Sequence, residues 1–160
     1  MKTNKSDFQA ILLGSDQGRK VYTKKLHSLV ERYSLTKKIK FIPHCKEMPL
    51  AYSLADVVIS ASVEPEAFGR VAVESQSMCK PIIASNLGGS KETVLNKKTG
   101  FLYKHDDPRE LAKNLNTVIQ LNQEELKLMG NEGRKNVSKK FDVEIMCNSN
   151  LREYKKLFKN

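Results

Sequence analysis

The sequence predicts an α/β chain built on a doubly wound, mostly parallel sheet, and three observations predict it. Short apolar runs alternate with longer amphipathic stretches along the whole chain. Alternating strands and helices imply parallel pairing through crossovers. Some runs, such as Val57-Val58-Ile59 and Pro81-Ile82-Ile83-Ala84, are apolar at every position, the pattern of strands covered on both faces. The length, 160 residues, suits one domain with its own core and is too short for two. We expect a single domain over 1–160, with an α/β core over 8–141 and a closing helix over 142–160.

The elements follow in order. Residues 8–13, Phe-Gln-Ala-Ile-Leu-Leu, read as a buried strand, ended by Gly14-Ser15-Asp16-Gln17-Gly18. Val21, Tyr22, Leu26, Leu29 and Val30 recur at helical spacing and predict a helix over 19–33. A strand over 39–42 is stopped by Pro43. A short helix over 50–55 leads to a strand over 57–59. A helix over 71–78 leads to a strand over 81–84. Gly88-Gly89 opens a short helical turn over 92–95, and 100–103 is the last strand. The remainder is helical, over 111–121, 124–137 and 143–158. Asp107-Pro108 is a good start signal for the first of these.

Lysine and arginine total 28 against 18 aspartate and glutamate, a formal charge of +10. That excess favours anionic partners, namely phosphorylated substrates, nucleic acid or an anionic membrane surface, and equally describes a solvated basic surface. Base stacking needs aromatics among the basic residues. The chain has no tryptophan and 7% aromatic residues, most inside apolar runs, so no nucleic-acid partner is expected. Cys45, Cys79 and Cys147 are odd in number and lack C-x-x-C spacing. This argues against a disulfide framework and a zinc site, and for a reducing compartment. No run approaches the roughly 18–20 apolar residues of a membrane span, and residues 1–7 hold no apolar segment of a signal peptide. The expected location is the cytoplasm, with the charge leaving room for peripheral attachment at the inner face of the membrane.

Ligands of doubly wound sheets bind outside the carboxyl ends of the strands, which directs attention to the loops at 14–18, 43–47, 60–69 and 85–89. The most informative stretch is Ser60-Ala61-Ser62-Val63-Glu64-Pro65-Glu66-Ala67-Phe68-Gly69-Arg70-Val71-Ala72-Val73-Glu74. It runs from a strand end through a loop into a helix. A helix N-terminus presents free N–H groups and partial positive charge, and so can hold a diphosphate. Gly69 allows close approach to the backbone, and Arg70 can add paired hydrogen bonds to a phosphate oxygen. Glu74 falls one turn later on the face of Arg70, where a carboxylate can accept from two adjacent ribose hydroxyls. Spacing alone is met equally by a dipole-favoured Glu66 before a helix and a solvent-facing Glu74. A glycosidase pair is disfavoured, because eight positions along one helix would separate the carboxylates by about 12 Å, beyond the roughly 5–9.5 Å such enzymes use. Pro65 and Gly69 interrupt that helix, which weakens the objection.

These residues resemble a family. Glu66 and Glu74, with Phe68-Gly69 between them, match the E-x7-E signature of the retaining GT-B glycosyltransferases of the large family four. Ala55-Asp56-Val57-Val58-Ile59-Ser60 resembles the family's A-D strand entry. Lys80-Pro81-Ile82-Ile83-Ala84-Ser85, with Gly88-Gly89 and Glu92, resembles its P-V-V-A-S…G-G…E block. Thr99-Gly100-Phe101-Leu102 and Asp107-Pro108 resemble its T-G-x-L and D-P elements. The match spans nearly the whole chain in the right order. It implies the Rossmann-like C-terminal half of a GT-B fold and a nucleoside-diphosphate sugar, usually UDP- or GDP-linked, as substrate, with no metal and no cofactor. By position, Glu66 would contact the donor sugar as the catalytic residue. The Phe68, Gly69, Arg70 and Val71 segment would hold the diphosphate, and Glu74 the ribose. His44, Cys45 and Lys46 occupy the place of the family's base-recognition segment and also read as an ordinary polar loop. His27 and His105 read as structural or solvated.

Two departures stand out. Ser77-Met78-Cys79-Lys80-Pro81 replaces the family's A-x-G-x-P, placing Cys79 where a glycine ends the helix in a left-handed conformation, at a cost of about 1 kcal/mol. The chain also shows neither the family's acceptor-binding N-terminal domain nor the first strand and loop of its C-terminal domain. Lys24 and Lys25 do not match the basic residues that normally clamp the diphosphate. The resemblance thus implies a sugar-transferring enzyme of hexosyltransferase type that is incomplete alone. It would be completed by an acceptor-domain chain and prone to self-association. A non-catalytic nucleotide-sugar-binding or assembly subunit, or the remnant of a shortened gene, is the alternative.

Overall fold

The computed structural model describes residues 8–158. The segment 1–7, read above for a signal peptide, lies outside the described residues. The chain forms two compact units, Met1–Met48 and Pro49–Asn160.

In the first unit, β1 (Ala10–Leu13) and β2 (Ile39–Ile42) pair in parallel, with Ala10 opposite Ile39 and Leu13 opposite Ile42. Between them runs α1 (Lys20–Arg32), whose Val30 is buried. The exposed His27 ring stacks on Phe41 at 4.0 Å between centroids. One expectation fails here. The opening strand was read as buried, yet Ile11 and Leu12 are exposed and no residue of β1 is fully covered. Among the described residues its one strand neighbour is β2, and a strand is covered on both faces only where a layer packs on each of them.

The second unit carries the larger core. It begins around α2 (Met48–Leu54). A parallel sheet ordered β3-β4-β5 joins β3 (Val58–Ser60), β4 (Ile82–Ser85) and β5 (Gly100–Tyr103). Val58 stands opposite Ile82, and Ile82 opposite Gly100. The central strand is buried at all four positions, as a run apolar throughout predicts. Because side chains alternate across a strand, β4 feeds two cores. Ile82 and Ala84 pack with Ala72 and Val94 on one face, beside Val58, Val71 and Leu102. Ile83 packs with Tyr103 and Val118 on the other, beside Leu111, Leu115 and Leu126.

The helices that supply these layers are α3 (Arg70–Ser77), α4 (Ser90–Thr93), α5 (Pro108–Gln120), α6 (Gln123–Lys140) and α7 (Val143–Leu157). Asp107 caps α5 by accepting from the Arg109 and Glu110 N–H groups, with Pro108 at the first helical turn, the start signal read from the sequence. Asn122 and Glu125 form a reciprocal capping box on α6. Helix α7 has no buried residue. Among the described residues, no helix is long and apolar enough to cross a membrane.

Candidate functional site

Strand β3 ends at Ser60 and α3 begins at Arg70, so the informative stretch is a loop delivered by a strand end into a helix start. The loop is held from behind by the second motif block. The Gly89 N–H donates to the Glu66 carbonyl at 2.8 Å. A Cβ on Gly88 would stand 2.8 Å from the Glu66 nitrogen, and one on Gly89 would stand 2.7 Å from the Phe68 Cα. The Gly88-Gly89 pair is therefore the surface on which the backbone of 66–68 rests, and no larger residue fits there.

Gly69 caps α3 in the left-handed region, at φ 74°, and is buried. That conformation is open to glycine and strained for other residues. The carbonyl of Gly69 accepts from Ala72 and Val73 at 3.0 and 3.3 Å. The N–H groups of Gly69, Arg70 and Val71 have no protein acceptor among the described residues. They are the unsatisfied donors of a helix start, where partial positive charge collects.

Both signature carboxylates are half-buried and each has its own hydroxyl donor. The Ser62 hydroxyl donates to Oε1 of Glu66. The Tyr52 hydroxyl donates to Oε2 of Glu74 at 2.9 Å. Arg70, one helical turn before Glu74, donates to its Oε1 from Nε at 3.1 Å and from a terminal guanidinium nitrogen at 2.8 Å. Tyr52 is buried, and that burial, reinforced by the bond to Glu74, raises its pKa above the ordinary tyrosine value. It remains a hydrogen-bond donor throughout the neutral range. The ring of Phe68 meets Phe141 edge-on, with centroids 5.6 Å apart, so this residue anchors the loop by its side chain while its backbone lies at the helix start.

Glu66, Phe68, Gly69, Arg70, Val71 and Glu74 are thus consecutive parts of one loop and helix start, with Arg70 and Glu74 on one face. His44, Cys45 and Lys46 lie in the loop after β2 in the first unit, with His44 and Lys46 exposed and Cys45 half-buried. Tyr52 and Ser62 were not singled out from the sequence. A lone aromatic in a short helix just before the Ala55-Asp56 block was the available signal for Tyr52. No continuous helix runs through both glutamates, because α3 starts only at Arg70, so the spacing argument against a glycosidase pair does not apply. What the segment offers chemically is a set of amides with no protein acceptor among the described residues, an exposed cation and a carboxylate held by Arg70 and Tyr52.

Residues 1–136 match the family of glycosyl transferases group 1. The chain is 37% identical over 82 residues to the capsular polysaccharide biosynthesis glycosyltransferase CapM of Staphylococcus aureus, covering 51% of this chain and 21% of that protein. It is 27% identical over 157 residues to spore coat protein SA of Bacillus subtilis, covering 94% of this chain and 41% of that protein. A glycosyltransferase structure from Rickettsia africae superposes with a TM-score of 0.90 at 32% identity, over 96% of this chain and 41% of that one. HepE of Anabaena, solved with UDP and glucose, superposes with a TM-score of 0.83 at 32% identity, over 92% of this chain and 40% of that one. The chain therefore spans no more than 41% of these relatives. The C-terminal domain of the group 1 protein LpcC from Francisella tularensis matches over 86% of this chain and 71% of that one, at 26% identity and a TM-score of 0.77. The expected family and fold both hold: the chain belongs to the group 1 glycosyl transferases, with the Rossmann-like α/β architecture of the C-terminal half of their GT-B fold.

Proposed function

We propose that this chain binds the nucleoside-diphosphate sugar donor of a retaining, hexosyltransferase-type enzyme. The carrying observation is the start of α3. There a left-handed glycine, three acceptor-free amides and the Arg70–Glu74 pair meet at one helix N-terminus. The amides and Arg70 take the diphosphate, Glu74 takes the ribose diol, and Glu66 faces the donor sugar. In this reading the fixed N–H dipoles and Arg70 offset the charge that grows on the leaving diphosphate. The base-contact role of His44, Cys45 and Lys46 rests on the family resemblance alone. The complexes of HepE with UDP and with UDP-glucose make UDP the first nucleotide to try. Transfer itself belongs to the proposal, as do an acceptor-domain partner and attachment at the inner face of the membrane.

Calorimetry with UDP and GDP tests the site. Glu74→Gln keeps the shape and removes charge-assisted acceptance, so affinity should fall by about 1.5–3 kcal/mol. Equal affinity of the two proteins for the nucleotide they bind would remove Glu74 from the site. Retention is read from the anomeric configuration of the product by NMR, with an acceptor-domain partner present. Nucleotide binding with no turnover, with or without that partner, would instead indicate a non-catalytic binding subunit.

A further inference from the structure

Glu74 has three donors, and they differ in how firmly they are held. Both Arg70 nitrogens crowd Oε1, from a side chain that is 83% exposed. Tyr52 takes Oε2 from a residue that is 6% exposed. A carboxylate that accepts two vicinal hydroxyls needs a free lone pair on each oxygen. As the site stands, one of Arg70's two bonds to Oε1 would have to give way. A long exposed guanidinium can leave at little cost, because exposed ion pairs contribute about 0–1 kcal/mol. A buried tyrosine with two side-chain torsions cannot leave without opening its pocket.

Building on the donor-site reading, we infer that Tyr52 is the positioning residue for recognition of the nucleotide's ribose diol. It holds Oε2 of the Glu74 carboxylate in place while Arg70 exchanges Glu74 for the diphosphate. Tyr52 touches no ligand and acts through Glu74. Its raised pKa agrees, since the hydroxyl keeps its proton and so keeps donating. The contact joins α2 to α3 across 22 positions of sequence, so the short helix α2 acquires a function beyond covering the core.

The test compares UDP with 2′,3′-dideoxyuridine diphosphate, which lacks both hydroxyls. Tyr52→Phe should weaken UDP about tenfold, the weight of one hydrogen bond to a charged group, and leave the dideoxy nucleotide unchanged. The double variant Tyr52→Phe/Glu74→Gln should lose no more than Glu74→Gln alone. With 3-fluorotyrosine at position 52, the fluorine resonance should move when UDP is added and stay when the dideoxy nucleotide is added, without any change of fold. Equal weakening of both nucleotides, or no weakening of either, overturns the inference and leaves the donor site standing. Wild-type protein that binds neither nucleotide overturns the donor-site reading, and this inference with it.

Discussion

At position 74 a single carboxylate is held by an exposed cation and a buried hydroxyl, and the two respond differently to mutation and pH. The Arg70 pair is exposed and screened, so Arg70→Ala should leave the melting temperature almost unchanged. If Arg70 serves the diphosphate, the same variant should weaken UDP and GDP by a similar factor, while uridine loses little. A variant that separates the bases yet holds the diphosphate normally would refute that role. Tyr52 responds to alkali. Its folded pKa lies above the ordinary value of 10.0, so its contribution is complete below pH 10 and is lost as pH rises beyond it. Tyr52→Phe should lack that alkaline loss, which is visible as melting temperatures of the two proteins that converge as pH rises above 10. Arg70 and Glu74 were legible in the sequence because four positions along a helix are one turn. Tyr52 was not, since only tertiary packing brings it to Glu74, and no local period encodes that meeting.

Helix α3 ends as its sequence forecast. Cys79 sits at φ 56°, its N–H donates to the Gln76 carbonyl at 3.0 Å, and the Lys80 N–H donates to the Ser75 carbonyl at 2.9 Å. This pair of bonds is the Schellman ending, which favours glycine at the left-handed residue. Cys79→Gly should therefore stabilise the fold by about 1 kcal/mol, measured as a higher midpoint in urea at unchanged slope. A lower midpoint would mean that the half-buried cysteine side chain outweighs its backbone strain. At the other end of the helix, Gly89→Ala should destabilise by roughly 1–3 kcal/mol, as overpacking does, because the new Cβ meets the Phe68 backbone rather than a yielding side chain. Nucleotide affinity should fall with it, since the same backbone leads into the Gly69 cap. Element types were readable from periodicity, and β4 was readable even in its burial. The start of α6 was written in the sequence as Asn122 and Glu125 and still lay before the first periodic residue, which is why that helix begins one position earlier than expected. The burial of β1 was not readable. Its apolar run looks much like that of β4, and what distinguishes the two is tertiary: β4 lies between two strands with packed side chains on both faces.

On the scale of the molecule, the apolar surface left uncovered is the main physical fact beyond the site. Among the described residues, β1 pairs on one edge only, with β2, and β3 on one edge only, with β4. Ile11 is 55% exposed and Ile59 is 42% exposed, so each open edge also carries an aliphatic side chain. Along α7, Val143, Met146, Leu151, Tyr154 and Leu157 are all exposed. Unpaired strand edges and contiguous apolar faces drive association, whereas the charge of +10 opposes it and is screened by salt. The chain alone should therefore self-associate as its concentration rises, and more strongly in higher salt. Sedimentation velocity across a concentration series, at low and at moderate ionic strength, measures both trends. Ile11→Lys and Ile59→Lys place a charge on each open edge and should shift the distribution toward monomer without lowering the melting temperature, because neither side chain is in the core. A monodisperse monomer at every concentration and salt level would mean that these edges are protected as they stand. If the association persists in both edge variants, the exposed face of α7 becomes the surface to substitute next, beginning with Leu151 and Leu157.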